Sequence, residues 1–129
     1  PEITMSNLIH KIQIPFPPST NSLWNIGNRR MFKSAKYRAW IKKCAAEIIW
    51  EEKPAIDYKF NIQIVVGRPR NKDGKVTTRK MDIDNRCKST LDSLEELNVF
   101  TDDCLVEELT ARWTTDFTHT EIKIWKYEE

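Results

Sequence analysis

The sequence predicts an α+β fold in which a single mixed β-sheet is covered by two main helices. Three observations carry that expectation. Apolar and polar residues alternate over residues 8–14 and again over 58–66, the period of a strand with one better-buried face. Apolar residues step by three and four from Tyr37 to Trp50, the period of an amphipathic helix. A second helical pattern follows an Asp-x-Asp pair at Asp82 and Asp84. The length of 129 residues fits one core, so residues 1–129 are expected to form a single domain.

The elements follow in order. Leu8, His10, Ile12 and Ile14 share one face of the first strand, which Pro15, Pro17 and Pro18 end because proline cannot donate to a sheet ladder. Residues 19–33 read as a polar loop with Asn21, Asn25, Gly27 and Asn28, anchored by Trp24. Ser34 is placed to cap a helix carrying Tyr37, Trp40, Ile41, Cys44, Ala45, Ile48 and Ile49 inward, ended by Lys53-Pro54. Tyr58, Phe60, Ile62, Ile64 and Val66 mark a half-buried strand that Gly67 and Pro69 interrupt. The segment that follows, with Asp73-Gly74 in its middle, is expected to be a hairpin or exposed loop. A second helix from Asp84 or Asn85 to about Asn98 would carry Cys87, Leu91 and Leu94 inward, and strands near 104–113 and 118–127 complete the layer.

Composition bounds the chemistry. The chain is 40% hydrophobic and 31% charged with a net charge of +2, so attraction to a polyanion has to come from how charge is distributed. Arg68, Arg70, Lys72, Lys75, Arg79 and Lys80 face only Asp73 within their stretch, and Arg29, Arg30, Lys33, Lys36 and Arg38 form a second basic run. Taken alone, either run is an ordinary solvated face. Cys44, Cys87 and Cys104 are odd in number and far apart, which excludes a disulfide framework and structural zinc. Neither a signal peptide nor a membrane span is apparent, and a reducing cytoplasm is the expected setting. His10 and His119 are assigned no role.

The most informative residues are acidic. Asp82-Ile83-Asp84-Asn85 follows Arg79-Lys80-Met81 directly, and Asp102-Asp103 comes later. Oxygen-only ligands beside cations suit Mg²⁺ or Mn²⁺ held against a phosphate, so metal-assisted phosphodiester hydrolysis is the first hypothesis. Residues two apart in an extended segment share a face, which lets Asp82 and Asp84 converge on one ion. Lys88 and Asp92 continue the line at intervals of four on a helix. The plain alternative makes Asp84 an N-cap, Lys88 its ion-pair partner, together worth ~1 kcal/mol, and Asp102-Asp103 a polar turn. Glu107 shares strand parity with Asp103 as an outer ligand or, more plainly, a partly exposed glutamate.

The run from Arg79 to Asn85 with Lys88, Asp92 and Asp102-Asp103 resembles the RusA family of Holliday junction resolvases, as does the early Pro15-Phe16-Pro17-Pro18-Ser19-Thr20-Asn21. Order and spacing match over nearly the whole chain. Arg86, Cys87 and a long basic segment over 71–78 depart from the pattern. The resemblance implies a small homodimer that binds four-way DNA junctions and makes paired nicks with Mg²⁺, for which Mn²⁺ substitutes. Asp82, Asp84 and Asp103 become the essential carboxylates, Asp102 an accessory metal acid and Lys88 the catalytic lysine. Arg68, Arg70, Lys72, Lys75, Arg79 and Lys80 are the expected DNA-backbone contacts, which set register and carry little sequence information. The rival readings are a DNA-binding protein without catalysis and a metal nuclease acting on flaps or replication forks. A bacterial or phage source is expected on the same resemblance.

Overall fold

Along the chain run β1 (Leu8–Ile14), β2 (Trp24–Gly27), β3 (Arg30–Lys33), α1 (Ala35–Glu47), β4 (Phe60–Gly67), α2 (Ile83–Glu96), a single 3-10 turn (Asp103–Leu105), β5 (Val106–Thr114) and β6 (Thr120–Lys126). This computed structural model describes residues 8–19, 24–27, 30–48 and 54–128. Thr20, Asn21, Asn28, Arg29, Ile49, Trp50 and Lys53, which enter the sequence reading, lie outside those residues.

The main sheet has four strands in the order β1-β6-β4-β5. β6 is antiparallel to both β1 and β4, whereas β4 and β5 run parallel, so the sheet is mixed as expected. A parallel pair needs a crossover, and α2 supplies it. The expected polar loop over 19–33 is instead occupied by a separate antiparallel ribbon of β2 and β3, paired from Trp24↔Lys33 to Gly27↔Arg30. Its strands are only four residues each, too short for their periodicity to stand out in the sequence.

One face of the sheet carries the core. Ile12 and Ile14, Phe60, Ile62, Ile64 and Val66, and Ile122 and Ile124 are buried together with Tyr37, Trp40 and Cys44 of α1 and Cys87 and Leu94 of α2. Phe60 packs on Phe100 with ring centroids 5.0 Å apart. β4 is buried on both faces, where the alternation predicted one, because Asn61 and Val65 are also covered. A strand with neighbours on both sides loses exposure that an edge strand keeps.

α1 begins as predicted: the Ser34 hydroxyl accepts from the Tyr37 N–H at 3.0 Å. It ends at Glu47, with Ile48 as its C-cap. Burial pushes the Cys44 thiol up to about 12, so it behaves as a small hydrophobe. α2 buries Ser89, Thr90 and Ser93 beside its apolar residues. Those hydroxyls are satisfied locally, Thr90 donating to the Arg86 carbonyl and Ser93 to the Thr90 carbonyl. Ser89 also donates to the Pro18 carbonyl at 2.7 Å, and Arg86 donates to the Pro17 carbonyl at 2.9 Å, which fastens the proline-rich segment to α2. Among the described residues no helix is long and apolar enough to cross a membrane.

The link between β5 and β6 passes over the end of β4, since β6 pairs with β4 on the side away from β5. Gly67 N–H donates to the His119 carbonyl at 2.8 Å and Arg68 N–H to the Thr114 carbonyl at 2.9 Å. A Cβ on Gly67 would lie 2.3 Å from the Phe117 carbonyl oxygen and 2.6 Å from that of His119. Both are backbone atoms, so the chain itself would have to move. Gly67→Ala is therefore expected to lower stability by roughly 1–3 kcal/mol, the range of overpacked interiors, in urea unfolding. An alanine variant with an unchanged midpoint would contradict the close crossing.

Candidate metal centre and nucleic-acid interface

Asp82 is the N-cap of α2, one residue before the helix starts and not Asp84 as the simplest capping account had it. Its carboxylate makes no side-chain cap bond, and its contact is with the Asn85 amide at 3.5 Å. Asp84 sits in the first helical turn. Both residues are exposed, and their charge next to the helix N-terminus is favoured by the helix dipole. The two acids are thus accessible.

Lys88 lies one turn further along. Its ammonium is 3.1 Å from an Asp92 carboxylate oxygen and 3.3 Å from one of Asp103. The hydrogen bond to Asp92 leads the causes that raise its pKa, reinforced by the contact with Asp103, so it is held as a cation. The chain after α2 brings Asp103 back alongside the helix, where its backbone N–H donates to the Glu95 carboxylate at 3.0 Å. Asp102 caps the 3-10 turn by accepting from the Cys104 N–H at 2.9 Å, and that backbone hydrogen bond lowers its pKa.

Glu95, Asp102 and Asp103 place one oxygen each within 4.8 Å of one another, the one such acidic grouping among the described residues. Asp82 and Asp84 stand outside that grouping, on the other side of Lys88 along α2. The helix therefore presents two sets of acids flanking one lysine. Glu95 is the member that the sequence reading missed. Its signal was available, since it falls three residues after Asp92 on the Asp84, Lys88, Asp92 face. Glu107 instead pairs with Lys59 at 3.2 Å.

The basic residues surround a different surface. Arg70 and Val76 form an isolated bridge that closes a small hairpin, and the Asp73 carboxylate accepts from the Lys75 N–H inside it. Arg70, Lys72, Lys75, Arg79 and Lys80 are exposed, and Arg70 also donates to the Thr115 carbonyl at 2.7 Å. Arg68 lies 4.6 Å above the Trp113 ring, Trp113 stacks on Phe16 at 6.3 Å, and Arg86 lies 4.9 Å over Phe16. Two guanidinium groups thus bracket two aromatic rings. Burial lowers the Arg86 pKa, yet a guanidinium stays charged at any physiological pH.

Beside this stack a concavity of about 540 Å³ is lined by Phe16, Trp40, Lys36, Lys43, Arg70, Arg79 and Arg86 among others, with no acidic residue among the described residues of its walls. Lys43 and Arg86 were not among the expected DNA contacts. Lys43 lies seven residues after Lys36, the two-turn interval that returns to one side of α1. Met81 also lines the concavity, so its wall runs up to the residue before Asp82.

Cations around a concavity at the entrance of a helix that carries paired acids are a suitable arrangement for handling a phosphodiester. A comparison with curated proteins gave no match. The sequence does match the family described as endodeoxyribonuclease RusA over residues 15–125, a span that takes in the proline-rich segment, the acids, Lys88 and the basic hairpin. The chain belongs to the endodeoxyribonuclease RusA family, nucleases that act on Holliday junctions.

Proposed function

We propose that this protein is a Mg²⁺-dependent, structure-selective endonuclease that resolves four-way DNA junctions by paired symmetric nicks, working as a homodimer in recombination and repair. The observation that carries this reading is Lys88, a cation held between Asp92 and Asp103 one turn from Asp84. One lysine cannot balance the carboxylates gathered about it, and such crowding is costly until a further cation arrives.

The donor set fits a hard divalent ion. Asp82, Asp84 and Asp103 would hold it, with Asp102 as an accessory ligand; all four offer carboxylate oxygens, the chemistry Mg²⁺ and Mn²⁺ prefer. When bound, such an ion polarises the phosphate and makes water a better nucleophile at neutral pH. Lys88 neutralises charge that develops on the scissile phosphate, while Asp92 and Asp103 fix the position of its ammonium. Glu95 holds the Asp103 backbone in place. Arg68, Arg70, Lys72, Lys75, Arg79 and Lys80, joined by Lys36 and Lys43, carry the DNA backbone toward the entrance of α2. Hydrolysis then breaks the bond between phosphorus and the 3′ oxygen.

The direct test is cleavage of an intact four-way junction with and without Mg²⁺, beside flap and fork substrates. Symmetric nicks in the junction that need the metal are expected. Binding without any nicked product would favour a non-catalytic DNA-binding protein, and faster cutting of flaps or forks would move the substrate class.

Asp82→Asn and Asp84→Asn keep side-chain size and remove charge. Each is expected to reduce single-turnover cleavage at least 100-fold, about 2.7 kcal/mol of transition-state stabilisation, while junction affinity holds or tightens. Near-normal nicking by both variants would take these acids out of the mechanism.

Lys88→Met separates chemistry from stability. An exposed i,i+4 ion pair is worth only about 0.3–0.5 kcal/mol, and the Lys88 side chain is 53% exposed, so the melting temperature should barely move. Cleavage should fall at least tenfold, or about 1.4 kcal/mol. Normal rates at saturating Mg²⁺ would return Lys88 to a plain surface role.

Arg70→Ala combined with Arg79→Ala tests the DNA path. Duplex contacts contribute about −0.9 each to the log–log salt slope of affinity, so the slope should become shallower by about 1 to 2. An unchanged slope would place the DNA on another face.

A further inference from the structure

β5 is an edge strand that no other described strand covers. Its nine residues pair with β4 on one side, and it ends the strand order of the main sheet. Residues 107–112 are all exposed. A long open edge of this kind offers unpaired N–H and C=O groups and invites another strand. The strand carries no proline or lysine, Leu109 is 45% exposed, and its charges, Glu107, Glu108 and Arg112, are of both signs, so they can be matched by a partner strand.

The register with β4 divides the strand into two faces. Ile62↔Leu109, Ile64↔Ala111 and Val66↔Trp113 put Leu109, Ala111 and Trp113 on the helix-covered face. Asn61↔Glu108, Gln63↔Thr110 and Val65↔Arg112 put Glu108, Thr110 and Arg112 on the other. Leu109 and Ala111 also line an apolar groove of about 320 Å³ against Ile83 and Leu91 of α2, and Asp84 and Lys88 stand in the same lining.

We propose that β5 pairs antiparallel with β5 of a second copy about a two-fold axis at Thr110, which joins two sheets into one of eight strands. The order of charges favours one register, the one that pairs Glu108 with Arg112. A two-fold axis perpendicular to the sheet keeps both helix layers on one side, and it must pass through a residue rather than between two. Centring on Glu108 or Arg112 would set that residue opposite its own copy, with like charges facing. Centring on Thr110 sets Glu108 of each strand opposite Arg112 of the other, and Leu109 opposite Ala111. Opposite charges and apolar residues are then matched across the strands on their separate faces.

The pairing rests on the homodimer reading and gives it a location. Each copy would cover the apolar groove of the other, and both α2 helices would lie on the same side of the seam. Two sets of Asp84 and Lys88 would then face a junction together, as two symmetric cuts require.

Sedimentation of the full chain over a range of concentrations tests this, with circular dichroism to verify folding. Arg112→Glu or Glu108→Arg alone faces like charges and should raise the dimer dissociation constant at least tenfold. The double exchange, Glu108→Arg with Arg112→Glu, should bring it back to within threefold of the parent. A dimer indifferent to the single changes, or folded single variants that the exchange does not rescue, would overturn the β5 seam and leave dimeric nicking on another face intact. A parent that stays monomeric both free and on a junction would overturn the seam as well. Junction nicking by that monomer, scored separately in Mg²⁺, tells whether the nuclease reading survives.

Discussion

The parallel pairing of β4 and β5 is the constraint on which the rest of the molecule depends. Two neighbouring parallel strands cannot be joined by a tight turn, so the chain must leave the end of β4, travel back and re-enter beside its start. The outward half of that journey is the basic hairpin over residues 68–80. Its return is α2, and its re-entry is the 3-10 turn before β5. The acids, Lys88 and the basic residues from Arg68 to Lys80 that the sequence singled out lie on this one connection, whereas the second basic run does not. The core beneath it, from Phe60 to Val66 and from Ile122 to Ile124, gives it a firm base.

Electrostatics then decides what the connection is for. Ion pairs such as Lys88 with Asp92 and Asp103 are partly exposed and contribute little to folding, far less than the roughly 1.5–3 kcal/mol from burying each large apolar side chain. Stability therefore gives no reason to set Asp92 and Asp103 against one ammonium, with Asp84 one turn before it and Glu95 and Asp102 grouped with Asp103. Glu95 and Asp102 accept backbone N–H groups, which holds the cluster in shape. Asp82 and Asp84 are exposed, and the Asp82 carboxylate, although at the N-cap position, makes no capping bond. The arrangement is ordered on one side and open on the other, as a site that receives a cation needs to be.

Much of this was legible in the sequence because burial follows periodicity. Ile12, Ile14, Phe60, Ile62, Ile64 and Val66 were predicted inward at period two, and Tyr37, Trp40 and Cys44 at helical spacing, and all are buried. The β2–β3 ribbon was not legible, since two strands of four residues give too short a pattern to be told from a loop. The buried hydroxyl stripe of Ser89, Thr90 and Ser93 defeats hydropathy for another reason: each hydroxyl satisfies itself on a carbonyl, so it can be buried at little cost. The same limit hid Arg86. Its charge marked it as a departure from the expected pattern, whereas its guanidinium fastens Pro17 and covers Phe16. Strand order depends on contacts between distant segments that no local spacing encodes.

The stack of Arg86, Phe16, Trp113 and Arg68 joins these parts. Phe16 belongs to the proline-rich segment, Trp113 to β5, Arg68 to the root of the basic hairpin and Arg86 to α2. Long cationic side chains ordinarily lose rotamer freedom when they meet a phosphate, and that entropy opposes binding. A guanidinium already resting on an aromatic face has given up part of that freedom during folding. The stack therefore pre-organises the wall of the basic concavity and ties its position to that of α2. Because Arg86 follows Asp84 by two residues, a shift of the basic wall and a shift of the acids cannot occur independently. On the proposed DNA path, the position of the phosphate backbone would thereby be coupled, through packed side chains and one helix, to the geometry of the carboxylates.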